Sequence, residues 1–264
     1  MGWRNIAKLA TVKKTWGRIL WYRGFILSAL LGVVAIVLVF IGSNTVQGGL
    51  VDISWPNCNR IGSAFFDRAI IGVSGGLDFR SNVCLGNEAR AALVYGLYAN
   101  TGNPGMPRIK ERGTDPLVCR GDQFNCLSYN YGYQAGLYAL QQARLAAANS
   151  PEWWLDVEAV NSWTNSLSAN RADIKGMIDA IESISFLRPK IGIYTASNQW
   201  VALVGHWNIG LPLWLGTGST TQAGAKQACT QKSVTGGKIV LTQYTVGQLD
   251  YNYACNSLPS HKYF

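Results

Sequence analysis

Histidine is almost missing from this chain. His206 and His261 are the only two, and neither stands in an H-E-x-x-H or C-x-x-C setting that would assemble a zinc site. That disfavours a zinc hydrolase. A Ser or Cys nucleophile would have to rely on His206 alone, without the G-x-S-x-G elbow that presents such a serine. No G-x-G-x-x-G or phosphate loop follows the first apolar strand, so Gly75 with Gly76 is a turn signal and no bound cofactor is expected. Internal repeats and low-complexity tracts are also absent. Charge is sparse at 14%, and no acid precedes Asp52. Arg4, Lys8, Lys13, Lys14, Arg18 and Arg23 supply most of the net +9; without them 17 basic residues face 14 acidic ones, or +3. That balance is too mild for a nucleic-acid footprint.

What is present begins with apolar content. At 48% hydrophobic over 264 residues the chain can bury a sizeable core, yet it is too short for two large domains. Residues 24–42 (GFILSALLGVVAIVLVFIG) carry no charge over 19 positions, enough as a helix to cross most of a hydrocarbon core of about 30 Å. The basic flank before it and the neutral flank after it predict a cytoplasmic N-terminus and an exported remainder. The stretch Phe40 to Ser43 fits signal cleavage poorly, which favours an uncleaved single-pass anchor in the plasma membrane over secretion after cleavage. The expected organisation is a basic segment 1–23, an anchor 24–42, a linker 43–48 and one exported domain 49–264.

All six cysteines, Cys58, Cys84, Cys119, Cys126, Cys229 and Cys255, lie in that exported part and read as disulfides. Six cysteines allow fifteen connectivities. Closing local loops or joining neighbouring late elements gives Cys58 with Cys84, Cys119 with Cys126, and Cys229 with Cys255.

Apolar, β-branched runs recur at Leu50 to Ile53, Ala69 to Val73, Leu93 to Tyr98, Trp153 to Val157, Ile191 to Tyr194, Leu213 to Leu215 and Ile239 to Tyr244. They read as buried strands. Helical patterns lie between them, from Gln134 to Ala148 and from Asn170, as N-cap, through Ile174, Met177, Ile178, Ile181 and Ile184. Alternating strands and helices predict an α/β fold, a (β/α)8 TIM-type barrel with incomplete helices, preceded by the one transmembrane helix. The Gly- and Pro-rich stretch Thr101 to Asn130 is expected to be a stapled loop over one barrel end.

Acids end several of these strands. In WWLDVE, Asp156 and Glu158 stand at i and i+2 and so face one way. Asp52 ends the first strand, and Asp250 follows the seventh run; first and last strands are neighbours in a closed barrel. A single Asp at a strand end is ordinarily a cap or turn former. Two acids leaving a Trp-rich strand are harder to explain that way, although Glu158 has a candidate partner in Arg171. Four carboxylates crowded at one mouth would raise at least one pKa towards neutrality, creating a general acid beside a second carboxylate, the pair that glycoside hydrolysis needs. Trp55, Trp163, Trp200 and Trp214 are candidate apolar faces for sugar rings, and Tyr194 and Tyr244 either line the cleft or fill the barrel.

With VDISWPNC (51–58), IIGVSGGLDF (70–79), WWLDVEAVNSW (153–163), IGIYTASNQW (191–200), LPLWLG (211–216) and VLTQYTVGQLDYNYAC (240–255) in view, the chain resembles the lysozyme-like barrels of glycoside hydrolase family 25, especially an exported, actinobacterial-like branch. The likeness covers about residues 49–255. It departs after the first strand, where Trp55, Pro56, Asn57 and Cys58 replace a polar stretch. The resemblance implies cleavage of the β-1,4 bond between N-acetylmuramic acid and N-acetylglucosamine. Glu158 would be the general acid and Asp156 would orient substrate or the attacking group. Asp52 and Asp250 would bind substrate and tune the acid, with Tyr194, Tyr244 and Trp214 lining the cleft. The leading expectation is therefore a membrane-anchored hydrolase of peptidoglycan or a related envelope glycan, without cofactor or metal. A silent wall-glycan-binding module on the same barrel is the alternative, and an envelope amidase or transglycosylase-like enzyme a third.

Overall fold

The structure, a computed structural model, describes residues 46–61, 64–121, 123–184 and 188–255. The anchor assigned to residues 24–42 lies outside them; among the described residues no helix is long and apolar enough to cross a membrane. Eight strands close into one barrel in chain order: β1 (Val46–Ile53), β2 (Phe65–Gly72), β3 (Ala92–Asn100), β4 (Glu152–Asp156), β5 (Lys190–Thr195), β6 (Leu213–Ser219), β7 (Ile239–Val246) and β8 (Leu249–Ala254). β1 starts inside the stretch read as linker. Between them run α1 (Cys58–Ile61), α2 (Leu85–Arg90), α3 (Arg108–Arg112), α4 (Phe124–Leu145), α5 (Leu167–Glu182), α6 (Ser197–Val204) and α7 (Gln222–Ala228).

The (β/α)8 expectation needs a correction at its end. β1 to β7 are parallel, but β8 pairs antiparallel with both β7 and β1. Only Gly247 and Gln248 separate β7 from β8, with Gly247 at φ +64. A parallel return would need a crossover of a dozen or more residues, so so short a connection dictates a hairpin. The late strand carrying Asp250 has no continuous apolar run, since Asp250 and Asn252 interrupt Leu249, Tyr251 and Tyr253.

Two cores follow from strand alternation. Leu50, Ile70, Trp154, Trp214 and Leu241 fill the barrel. Val51, Ile71, Leu97, Leu155 and Ile193 face outward against Ala139, Ile174, Met177 and Ile181 of α4 and α5. Those two helices cross closely through glycines: a Cβ on Gly132 would sit 1.9 Å from the Asp173 carbonyl oxygen, and one on Gly176 2.0 Å from that of Tyr129.

Helix starts differ from the expected ones. α4 begins at Phe124 rather than Gln134, so the supposed loop Thr101 to Asn130 contains α3 and the first turns of α4. The buried face of those turns mixes Leu127 and Tyr131 with Ser128, Asn130 and Gly132, which blurs its apolar period. Asn130 fastens the insertion, its Nδ2 donating to the carbonyls of Gly113 at 2.9 Å and Leu117 at 2.8 Å. Ser166, not Asn170, caps α5. Asn170 lies within the helix, donating to the Leu203 carbonyl at 2.8 Å. All three expected disulfides are formed, Cys58–Cys84, Cys119–Cys126 and Cys229–Cys255.

Candidate active site

The carboxylates meet where the parallel strands end. Asp52 is near the end of β1, Asp156 is the last residue of β4 and Glu158 stands two beyond it. Because β8 runs the other way, its beginning lies at the same mouth, and Asp250 is paired directly with Asp52. Asn100, Asp156 and Tyr194 are register partners across β3, β4 and β5.

Each acid is held by specific neighbours. The backbone N–H of Asn100 donates to Ser74 Oγ at 2.8 Å, Ser74 Oγ donates to Asn100 Oδ1 at 2.9 Å, and Asn100 Nδ2 donates to Asp156 Oδ2 at 2.5 Å. Asn161 Nδ2 donates to the Asp156 carbonyl at 3.0 Å, and Trp163 Nε1 to the Glu158 carbonyl at 2.7 Å. The chain leaving Glu158 is pinned again where the Ala159 N–H donates to Gln199 Oε1 at 2.6 Å. Across the mouth the Tyr194 hydroxyl donates to Gln243 Oε1 at 2.7 Å, and Gln243 Nε2 donates to Asp52 Oδ2 at 2.8 Å. Asp52 Oδ1 has no protein donor among the described residues.

Electrostatics follow from burial without cations. Among the described residues no Lys, Arg or His pairs with any of the four acids, and Arg171 instead donates to the Val204 carbonyl at 2.7 Å. Burial pushes Asp156 well above the usual carboxylate range, and Glu158, then Asp52, add to that. Asp52 rises for the same first reason, with Asp250 next and the Gln243 hydrogen bond opposing. Glu158, half-buried, is raised by burial and by Asp250 but held down by its hydrogen bond to Asp156. Both members of the pair are therefore shifted towards their protonated forms, Asp156 the deeper one and Glu158 facing the opening.

The other expected residues divide. Tyr194 reaches the mouth, its ring centroid 4.4 Å from that of Trp214. Trp214 is 1% exposed and donates to Asn252 Oδ1 at 2.6 Å, so it floors the cleft and offers no open face to a sugar. Trp200 is wholly buried and stacked on Trp207, with centroids 5.7 Å apart. Tyr244 alternates to the outer face, pairing and stacking with Tyr251, while its neighbour Gln243 turns inward. Sequence reasoning missed Gln243, Asn100 and Asn252. The signal was there for Gln243: it stands at i+2 from the inward Leu241, but the aromatic beside it drew the assignment. No group of three or more His, Cys, Asp or Glu among the described residues is placed to hold a metal ion.

Fold and site together define a class: an α/β barrel with acids gathered on strand ends, the face where such barrels carry their chemistry. Comparison with known proteins shows what parts of the chain resemble. The model of "Lysozyme-like protein 1" matches residues 124–230, which include Asp156 and Glu158. Two Dictyostelium discoideum proteins described as probable GH family 25 lysozymes 5 and 4 are each 36% identical, over 64 and 69 residues, or 23% and 25% of this chain. The matched stretches span 29% and 30% of those relatives' own length. Among solved structures, the modular Cpl-1 endolysin, crystallised with a peptidoglycan analogue, shares the fold at TM-score 0.51 and 15% identity, covering 78% of this chain and 53% of that one. These likenesses to lysozyme-like proteins cover part of the chain, and the likeness to the solved structure is one of fold.

Proposed function

We propose that the chain hydrolyses the glycan of peptidoglycan or a related envelope polymer by carboxylate acid/base catalysis. The observation that carries this reading is the pair Asp156 and Glu158 at the mouth, the first ending β4 in the grip of Asn100 and the second, half-buried, facing the opening two residues on. Similarity to the probable lysozymes and to an endolysin that binds a peptidoglycan analogue supports the substrate class.

In the proposed reaction Glu158 donates its proton to the leaving glycosidic oxygen. As Glu158 becomes a carboxylate, the proton kept on Asp156 hydrogen-bonds to it, which strengthens Glu158 as an acid. Asp156 also orients the substrate or attacking group from the position that Asn100 fixes. Asp52 and Asp250, on the same rim, stand where they can hold substrate and meet the positive charge that develops in the oxocarbenium-like transition state. In the proposed setting residues 24–42 anchor the chain in the plasma membrane with the barrel outside. The three disulfides fit that oxidising side.

The test compares the full chain with its Glu158→Gln variant for release of reducing ends from purified peptidoglycan. Release by the unmodified chain and a loss of about 10²-fold or more in the variant is expected. Binding of glycan with no release by either would replace the hydrolase reading with that of a binding module.

A further inference from the structure

We propose that Trp55 and Arg80 form a subsite on the mouth rim that receives a sugar bearing a carboxylate; this rests on the glycan-hydrolase reading above. Trp55 lies in the 3-10 turn Trp55–Asn57 that follows β1, and it is 45% exposed despite its size. Its position is nevertheless fixed. The Ser54 N–H donates to Asn57 Oδ1 at 2.9 Å and the Asn57 N–H to the Ser54 carbonyl at 2.7 Å, closing the turn. The disulfide from Cys58 to Cys84 ties the turn to the head of α2. Gly76, at φ +86, brings its backbone against the indole edge, where a Cβ would lie 3.0 Å from Trp55 Nε1. A large ring immobilised at the surface adds little to the core, and a flat, rigid apolar face is what a pyranose ring stacks on.

Arg80 completes the site. Its guanidinium carbon lies 5.8 Å from the centroid of the Trp55 ring. It is presented by a turn in which the Arg80 N–H donates to the Leu77 carbonyl at 3.3 Å and the Gly75 N–H to the Arg80 carbonyl at 2.8 Å. Arg80 is exposed, and among the described residues no carboxylate pairs with it. A neutral sugar would engage only the indole. A sugar carrying a carboxylate would stack on Trp55 and give that carboxylate to the guanidinium fork. The arrangement also sets direction, because the acids of the mouth repel the substituent that Arg80 attracts. The ligand class is an acidic glycan, such as an amino sugar with a lactyl or peptidyl carboxylate, and the glycan runs with that substituent towards the β1–β2 rim.

The test is calorimetric titration of the full chain carrying Glu158→Gln with a soluble peptidoglycan tetrasaccharide whose carboxyls are free, and with the same compound after conversion of its carboxyls to amides. The free acid should bind about fivefold more tightly, the scale of one exposed ion pair. With Arg80→Gln added, both compounds should bind alike, while Trp55→Ala should weaken both. Equal binding of the two compounds, a preference that survives Arg80→Gln, or no binding of either would overturn the subsite. Cleavage by the chain with Glu158 intact is scored separately. A chain that cuts without this preference sinks the subsite alone, and one that discriminates without cutting sinks the hydrolase reading alone.

Discussion

Asp52 and Asp250 face each other as directly paired residues of β1 and β8, two carboxylates opposed on one rung of an antiparallel ladder. Like charges in that position oppose folding, and here Asp250 is the second cause, after burial, of the raised Asp52 pKa. Asp250→Asn should bring the Asp52 pKa down towards its ordinary range, read by carbon-detected carboxyl titration. It should stabilise the fold at neutral pH by about 0.5–1 kcal/mol in denaturant melts. The hydroxyl of Thr245, which donates to Asp250 Oδ1 at 2.6 Å, has the same acceptor in the variant. Turnover should fall nonetheless, since the transition state loses one anion.

Gln243 joins Tyr194 to Asp52 and, among the described residues, supplies the side-chain donor to that buried carboxyl. Gln243→Leu removes it at similar volume. The expected results are a loss of about 1–3 kcal/mol of stability, from stranding two buried polar groups, and a further rise of the Asp52 pKa. The pH–rate profile should shift with it, a change that simple destabilisation would not produce.

Stability should fall between mildly acid and mildly alkaline pH. Burial raises Glu152 to about 8 and Glu88 to about 7, each above the usual 4.5. Below their unfolded pKa both states hold the proton and nothing is lost. Above it the unfolded chain ionises first, so stability declines as pH climbs through the folded values. Asp52, Asp156 and Glu158, whose pKa values are also raised, act in the same direction. The melting temperature should drop from pH 5 to pH 8.5, and Glu152→Gln with Glu88→Gln should flatten that slope. Trp154 Nε1, which donates to Glu152 Oε1 at 2.8 Å, retains an amide acceptor in the variant.

Gly132→Ala should cost about 3 kcal/mol or more, because its methyl would collide with the Asp173 carbonyl oxygen and force α4 and α5 apart. Gly121→Ala is the control: it meets nothing within 4 Å and carries only the strain of φ +57, about 1 kcal/mol. Equal losses in urea melts would show that the helix crossing tolerates wider spacing.

Much of this site was legible from local pattern. Seven of the strands announce themselves by runs that are apolar on both faces, since a closed barrel buries both, and the i, i+2 spacing of Asp156 and Glu158 needs no tertiary knowledge to put them on one side. Proximity along the chain favoured the three disulfides that form. Tyr244 and Trp200 were misplaced because an aromatic near a strand end has the same composition whether it faces a cleft, a helix or the core. Asn100 and Gln243 carry no periodic signal, and a polar side chain inside a strand shows its partner only once strands far apart in sequence are closed together.

The sequence by itself determined that strands and helices alternate and that acids stand on strand ends, because each of these is set by neighbours within a few residues, while it left fifteen disulfide connectivities open. Only the tertiary structure decided that β8 returns antiparallel, opposing Asp250 to Asp52. It also decided that Asn100 grips Asp156, that Gln243 spans the mouth, and that among the described residues no cation answers the four acids. Those facts depend on closure of the barrel, which brings side chains from opposite ends of the chain into one low-dielectric space and there raises the pKa of Asp52 and Asp156.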